Sequence, residues 1–186
     1  MPDPDWWEAL WADPAQVLRS LGIQPHMEVV DLCCGDGLFT APLARMTRHV
    51  IAIDLDPAML DKARARLLGA DITNCDFIAT DAYNLAEIIR EPVDFVLIAN
   101  TFHGVPDQKR LSRAVATILK PGGHFAVINW RRRPREETPV LGQPRGPKTE
   151  MRMEPEDVQA AVEQSGLKLE RAVELPPYHY GAIFTK

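Results

Sequence analysis

Two short apolar runs that each end in an aspartate constrain the fold of this 186-residue chain more than any other feature. The first run ends at Asp31 and leads into a turn that contains Gly35 and Gly37, and the second ends at Asp54, 23 residues after the first acid. Glycine is needed where the backbone must approach a ligand closely, and an acid at the end of the second strand can accept hydrogen bonds from two ribose hydroxyls. The pattern therefore predicts a strand, a ligand-binding turn, a helix and a second strand that hold an adenosine-containing cofactor.

The alternation of apolar and amphipathic segments continues along the chain and predicts an α/β fold. The apolar runs are almost continuous, which is typical of parallel strands covered by helices on both faces. Asp56-Pro57 predicts a helix start, because an N-cap residue precedes a proline at the first helical position. We expect strands at 28–32, 50–53, 77–80, 95–99 and 125–129, helices at 38–47, 57–68, 84–90, 107–119 and 156–165, and a closing strand pair at 167–174 and 180–185.

The two remaining segments differ in composition from this core. Residues 5–21 predict two short amphipathic helices broken at Asp13-Pro14, and residues 131–155 are rich in proline and arginine and predict a long loop. A long loop inside a compact domain usually has a functional role. We therefore expect a helical cap at 1–27 and a main domain at 28–186, with 131–155 as a loop on the substrate side.

Charge and cysteine content narrow the class of protein. The net charge of -5 and the pI near 5.5 argue against a general nucleic-acid binder, which is usually basic, although Arg131–Arg135 is a local exception. Three cysteines, two of them adjacent, cannot form a disulfide framework and suggest a reducing compartment. The N-terminus lacks the features of a signal peptide, and no apolar stretch reaches the roughly 20 residues that span a bilayer. These features predict a cytoplasmic protein without membrane insertion.

The motifs at successive predicted strand ends resemble those of the class I S-adenosylmethionine-dependent methyltransferases. They are Asp31-x-Cys33-x-Gly35-x-Gly37, Asp54, Asp81, Asn100 and the Leu-Lys-Pro-Gly-Gly stretch at 119–123. The pattern is most similar to the small-molecule branch that includes the ubiquinone/menaquinone C-methyltransferase-like enzymes, and it covers roughly residues 28–130. The resemblance implies a three-layer, doubly wound, seven-stranded and mostly parallel sheet with an antiparallel final strand, which is a Rossmann-like methyltransferase fold.

The resemblance also implies which residues hold S-adenosylmethionine. Asp54 would accept hydrogen bonds from the ribose hydroxyls, and Asp31 with the glycine turn would hold the methionine end, where a carboxylate suits the cationic ligand. Leu55 and Met59 would pack on the adenine, and Asp81 would bind its amine. The expected cofactor residues are Asp31, Cys33, Gly35, Asp36, Gly37, Asp54, Leu55, Met59, Asp81, Ala82, Asn100 and Thr101.

The sequence departs from the family pattern at Cys33, which replaces the first glycine of the turn. Its neighbour Cys34, together with Cys75, also raises a metal or arsenite site as an alternative. Adjacent cysteines are poor chelators compared with spaced pairs, and small thiols often pack around a turn. We therefore expect buried thiols and no metal.

Methyl transfer from a sulfonium requires alignment and exclusion of water, and a general base only if the nucleophile is protonated. His103 is the candidate base because its pKa is ordinarily near neutrality; the alternative is a histidine whose hydrogen bonds are satisfied at a helix start.

His179 is a weaker candidate for a substrate contact. Arg131–Arg135 could recognise an anionic acceptor or could be a solvated loop. The candidate substrate contacts are Trp11, Phe102, Trp130 and Arg131.

Three other functions are open at this stage. A nicotinamide-dependent oxidoreductase is disfavoured because Thr40 stands where its fingerprint needs a third glycine. The others are a catalytically silent S-adenosylmethionine-binding domain and an RNA methyltransferase, the latter supported by the arginine run alone. We expect a monomeric or homodimeric enzyme with a small-molecule acceptor. Whether oxygen, nitrogen, sulfur or carbon is methylated is left open.

Overall fold

The computed structural model describes residues 4–186, so residues 1–3 of the predicted cap lie outside the described part. Its main sheet has seven strands, of which β9 runs antiparallel to its neighbours β5 and β8 and the other neighbouring pairs are parallel. This sheet confirms the predicted fold class. The strands are β1 (Glu28–Leu32), β2 (His49–Asp54), β3 (Cys75–Ala79), β4 (Val93–Ala99), β5 (Leu119–Trp130), the two-residue strands β6 (Pro139–Val140) and β7 (Gln143–Pro144) of a separate hairpin, β8 (Lys168–Leu175) and β9 (His179–Thr185).

Within residues 4–186, seven α-helices connect and cover the strands. Aspartate side chains cap three of them, as at Asp56, which accepts a hydrogen bond from the Ala58 amide at 2.9 Å. Among the described residues, no helix is both long and apolar enough to cross a membrane. The helices are α1 (Pro4–Leu10), α2 (Pro14–Leu21), α3 (Thr40–Met46), α4 (Pro57–Leu68), α5 (Leu85–Ile88), α6 (Gln108–Ile118) and α7 (Pro155–Val162).

Several boundaries differ from the sequence expectation. The helix predicted at 84–90 is a 3-10 turn (Ala82–Asn84) followed by the single turn of α5. Strand β5 begins at Leu119, directly after α6, and runs through the Pro-Gly-Gly stretch. Leu119 pairs with Val93 and His124 pairs with Phe95 of β4, with a register shift between the two pairs. The Pro-Gly-Gly stretch is thus an irregularity within the strand and does not mark its start.

Two apolar clusters on opposite faces of the sheet give the fold its three layers. Val29 of β1 packs into the cluster that also holds Leu18 and Leu21 of α2, whereas its neighbour Val30 packs with residues of α6 and α7 on the other face. Alternate residues of a strand point to opposite faces, which explains why β1 is apolar throughout. The N-terminal helices therefore share a core with the sheet.

The order of the strands, β3-β2-β1-β4-β5-β9-β8, reverses direction between β1 and β4. In an open α/β sheet, ligands bind beyond the carboxyl ends of the strands at such a switch point. Asp31 near the end of β1, Asp54 at the end of β2 and Asn100 directly after β4 all lie at this edge. The topology thus brings together polar residues that are far apart in the sequence.

The segment predicted as a loop at 131–155 contains the β6-β7 hairpin and two 3-10 turns. The side chain of Arg152 organises it, because this residue is fully buried and its guanidinium lies 4.9 Å from the centre of the Trp130 ring. Gly146, with φ 86°, lies so close to Trp130 that a Cβ there would be 2.9 Å from the ring. Arg152 donates hydrogen bonds to the carbonyls of Arg133, Arg145 and Pro147 and to Thr138 Oγ1.

Leu21→Ala is expected to lower the free energy of unfolding by about 2–4 kcal/mol, the usual cost of a truncated buried leucine. Leu21 is 1% exposed and packs directly over Gly181 of β9. The control is Leu68→Ala, because Leu68 of α4 is 72% exposed, and it should change stability by less than about 0.5 kcal/mol. Urea unfolding measures both variants. Equal effects would contradict a shared core between the N-terminal helices and the sheet.

Candidate active site

A cavity of about 500 Å³ opens at the carboxyl ends of β1, β2 and β4, and we call it the central pocket. The carboxylates of Asp31 and Asp54 and the amide of Asn100 lie on its wall, together with the turn that follows β1. The exposed side chain of Leu55, 71% accessible, gives the pocket an apolar face. Its lining residues are Trp7, Asp31, Cys33, Cys34, Gly35, Leu38, Phe39, Asp54, Leu55, Met59, Ala99, Asn100, Thr101, Gly104, Val105 and Pro106.

The turn after β1 is built from residues in the left-handed conformation. Cys33 (φ 58°), Gly35 (φ 58°) and Gly37 (φ 84°) all adopt it, and this conformation is unfavourable for a residue with a side chain. A Cβ at Gly37 would also lie 2.9 Å from Ala63 Cβ of α4, so glycine permits the turn to pack against that helix. Cys33 therefore replaces the family glycine while keeping the glycine-like backbone.

Asp54 holds this turn against the end of β2. Its Oδ2 accepts a hydrogen bond from the Gly35 amide at 2.8 Å, and its Oδ1 accepts one from the Asp56 amide at 3.0 Å. A carboxylate oxygen can accept more than one hydrogen bond. Asp54 can therefore order the turn and still accept donors from a ligand in the central pocket.

Asp31 brings a buried carboxylate to the floor of the pocket. Burial raises its pKa to about 7, the hydrogen bond from Thr40 Oγ1 at 2.6 Å opposes that rise, and repulsion from Asp54 adds to it. No cationic side chain among residues 4–186 forms an ion pair with Asp31. A cationic ligand group would supply the missing counter-charge.

The three cysteines are protonated at neutral pH. Burial raises the pKa of the Cys33 and Cys75 thiols to about 12, and that of the Cys34 thiol still further, with the nearby aspartates adding to each rise. Thiolates, not thiols, bind metals and act as nucleophiles. No group of three potential metal ligands occurs within the described residues.

A second cavity of about 330 Å³ adjoins the central pocket, and we call it the side pocket. The two cavities share Trp7 and Asn100. Asn100 has φ 60° and a buried Oδ1 without a hydrogen-bond partner among the described residues. The side pocket is lined by Trp6, Trp7, Asn100, His103, Trp130, Arg135, Arg145, Gly146 and Pro147.

His103 is oriented by Asn129, with 2.9 Å between the ring Nδ1 and the amide Oδ1. Burial lowers the pKa of His103, the hydrogen bond to Asn129 opposes this, and the positive charge of Arg152 lowers it further. Because the amide oxygen accepts, the neutral ring carries its proton on Nδ1, and Nε2 has a lone pair. His103 is therefore in the form that a general base requires.

The predicted substrate residues are distributed unevenly. Trp130 lines the side pocket, but Trp11 and Phe102 are buried and line neither the central nor the side pocket. Trp11 borders a separate cavity of about 470 Å³ beside α2 and the end of β8. Trp11 packs against the rings of Phe39 and His179 at 5.3 and 4.5 Å. Trp11 lies directly after α1, and Phe102 lies in a buried 3-10 turn, so both side chains contribute to packing.

Arg131 lines neither cavity and forms ion pairs with two carboxylates, Glu154 at 3.0 Å and Glu174. Arg132 likewise pairs with Asp157 at 2.6 Å. Two of the four arginines in the run are thus paired with acids from α7, its N-cap and β8.

Four of the expected cofactor residues do not line the central pocket. Asp36 forms an ion pair with Arg66 at 3.2 Å, and Gly37 packs against α4. Asp81 is exposed and accepts a hydrogen bond from the Tyr83 amide at 2.9 Å, with Ala82 in the same turn. They support the surrounding backbone at this edge of the sheet.

Sequence reasoning missed several residues that line or support the cavities. Leu38, Phe39 and Val105 line the central pocket. The first two follow the glycine turn and the third follows the end of β4, so their positions next to these motifs could have indicated them. Arg145 lines the side pocket and Asn129 orients His103. Neither of these two stands in a motif, so the sequence carried no signal for them.

The fold and the sequence place the chain among the class I S-adenosylmethionine-dependent methyltransferases, which confirms the resemblance. Residues 29–123 match the family described as a methyltransferase domain, and the chain belongs to that family. The crystal structure of a SAM-dependent methyltransferase from Aquifex aeolicus is similar along almost the whole chain, with a TM-score of 0.81, 25% identity, and coverage of 98% of this chain and 93% of that one.

Two curated relatives differ in the acceptor that their names state. The ubiquinone biosynthesis O-methyltransferase of Xanthomonas campestris is 30% identical over 140 residues, covering 69% of this chain and 57% of the relative. The tRNA 5-carboxymethoxyuridine methyltransferase of Escherichia coli is 30% identical over 120 residues, covering 64% and 46%. The chain thus spans about half the length of these relatives.

Asp31→Asn is expected to stabilise the ligand-free protein at pH 8 by about 2–4 kcal/mol relative to the native chain. Between pH 4 and pH 7 the unfolded chain loses the Asp31 proton while the folded protein retains it, so native stability falls as the pH rises through this window. The variant has no such proton, so the difference in the free energy of unfolding between variant and native protein should shrink towards zero near pH 4. Urea unfolding across this range measures it, and a difference independent of pH would contradict a buried, unpaired carboxylate.

Proposed function

We propose that the chain transfers a methyl group from S-adenosylmethionine, bound in the central pocket, to a small-molecule acceptor in the side pocket. The observation that carries this proposal is that the two cavities adjoin at Asn100 and Trp7. Donor and acceptor held in adjoining cavities can react in line, and proximity of this kind supplies much of the rate enhancement in bimolecular reactions.

The residues of the central pocket fit this cofactor. Asp54 offers acceptors for the ribose hydroxyls, and Leu55 and Met59 provide apolar surface for the adenine. Asp31, buried without a counter-charge, suits the cationic methionine end. Asn100 Oδ1 is a buried acceptor near the shared wall. A pyrophosphate-bearing cofactor would instead be repelled by two carboxylates.

The residue that would act on the acceptor is His103, which Asn129 orients. S-adenosylmethionine, when bound, supplies a methyl group already activated by a sulfonium. The remaining tasks of the protein are to align the acceptor, exclude water and remove a proton if the nucleophile carries one. His103 Nε2 is available for that proton because Asn129 fixes the tautomer. Helix α1 with Trp6 and Trp7, and the 131–155 loop, cover the site.

A small acceptor is favoured over RNA by the state of the arginine run. Arg131 and Arg132 are paired with carboxylates, and the chain has a net charge of -5, whereas affinity for RNA depends on free cations that neutralise phosphates. The cavity of about 330 Å³ is at the low end of the range for small-molecule sites.

S-adenosylhomocysteine is expected to raise the melting temperature of the protein, and NAD is not, because ligands stabilise the state that binds them. Asp54→Asn should weaken S-adenosylhomocysteine binding at least tenfold in calorimetry, since the amide can satisfy neither the turn nor the ribose as the carboxylate does. Asp56→Asn is the matched control: asparagine caps a helix as well as aspartate. Failure of millimolar S-adenosylhomocysteine to shift the melting temperature would overturn the cofactor assignment.

His103→Ala is expected to lower turnover by about 10²–10⁴-fold, the usual contribution of a general base. Its affinity for S-adenosylhomocysteine should stay within a few-fold, because His103 does not line the central pocket. The native rate should fall with decreasing pH below the ordinary histidine pKa, and the variant should lose that dependence. Both are measured by the transfer of a labelled methyl group from S-adenosylmethionine to an acceptor selected by screening small molecules. An unchanged rate would exclude the catalytic role.

A further inference from the structure

The side pocket carries positive charge that no acid neutralises. Arg135 and Arg145 line it, and Arg152 is buried behind Trp130. Across residues 4–186, no carboxylate lies within 4.0 Å of these three guanidinium groups. Arg131 and Arg132 of the same segment are both paired, and Arg133 is exposed and lines neither cavity. Arg135 and Arg145 are therefore the unpaired arginines on the wall of the side pocket.

The buried cation affects its surroundings. Arg152 is satisfied by carbonyl groups and a hydroxyl, which complete its hydrogen bonds but leave its charge uncompensated. Burial lowers the pKa of Arg152, and the charge of Arg135 lowers it further, while exposed Glu136 exerts an opposing attraction. Burial likewise lowers the pKa of His103 and of His179, and Arg152 adds to both shifts. An anion in the side pocket would relieve this excess of positive charge.

Buried polar atoms in the pocket wall provide an independent indication of a ligand. Trp6 Nε1, Arg145 Nε and Asn100 Oδ1 have no hydrogen-bond partner among the described residues. Buried polar groups in native proteins are normally hydrogen-bonded. Two of these three atoms are donors, and they suit the oxygens of a carboxylate or phosphate.

The walls of the pocket are aromatic. Trp6, Trp7 and Trp130 line it, and the Arg145 guanidinium lies 5.5 Å from the centre of the Trp6 ring. The rings of Trp6 and Trp7 are tilted by 49° to each other with 4.6 Å between their centres, and aromatic rings bind flat molecules through their faces and edges. The volume of about 330 Å³ limits the occupant to a small molecule.

We propose that the acceptor is a small planar molecule bearing a carboxylate or phosphate monoester, whose anionic group binds Arg135 and Arg145. This proposal rests on the proposed function, since it takes the side pocket as the acceptor site. The two arginines then act as specificity-determining residues, and the carboxylates Asp31 and Asp54 of the central pocket remain on the donor side. Arginine is the side chain best suited to bidentate binding of such anions.

The test is calorimetry of the protein saturated with S-adenosylhomocysteine, with benzoate, phenyl phosphate and the neutral isostere benzamide as probes. At least one anionic probe should bind tenfold or more tightly than benzamide, and the preferred anion separates carboxylate from phosphate recognition. The double variant Arg135→Gln, Arg145→Gln should lose this preference. Arg133→Gln is the matched control, because Arg133 is exposed in the same segment and lines neither cavity.

Equal binding of benzoate, phenyl phosphate and benzamide, or no binding of either anion at millimolar concentration, would overturn the proposal. So would an anion preference that persists in the double variant. Tight binding of bulk tRNA that is lost in Arg133→Gln would instead assign anion recognition to an RNA surface. If the native protein does not bind S-adenosylhomocysteine, the proposed function itself is contradicted. If it binds S-adenosylhomocysteine but does not prefer the anionic probes, only the anionic acceptor is contradicted.

Discussion

The hydrogen bonds accepted by Asp54 are the constraint on which the site depends. They connect the left-handed turn after β1 to the end of β2, and that turn forms one wall of the central pocket. The turn also needs the close approach of Gly37 to Ala63 of α4. A single carboxylate thus joins two strands, a helix and the ligand-binding surface, so the geometry of the pocket is inseparable from the packing of the sheet edge.

Unpaired buried charges of opposite sign occupy the two cavities. Asp31 contributes a carboxylate to the central pocket, and Arg152 lies behind the side pocket with Arg135 and Arg145 at its wall. Each is unfavourable in the ligand-free protein because burial separates a charge from water. These charges are the basis on which we propose a cationic donor on one side of Asn100 and an anionic acceptor on the other.

Most of the fold could be predicted from the sequence because its signals are local. Continuous apolar runs indicated the parallel strands, and capping aspartates such as Asp56 marked helix starts. The differences lie where tertiary contacts act: β5 begins at Leu119, which pairs with Val93 of β4, and the Pro-Gly-Gly stretch is a register shift within the strand. A buried arginine orders the 131–155 segment, although arginine in a proline-rich stretch is typical of an exposed loop.

The sequence by itself determined the class of protein, since Asp31, the glycine turn and Asp54 form a local pattern whose conformation follows from backbone sterics. It could not determine the substrate side. Of the candidate substrate contacts, Trp11 packs against His179 and Arg131 is held in ion pairs. The tertiary fold places Arg145 at the side pocket and Asn129 beside His103. The physical reason is that a binding cavity forms between segments distant in the chain, so its charge balance depends on which side chains have found partners elsewhere.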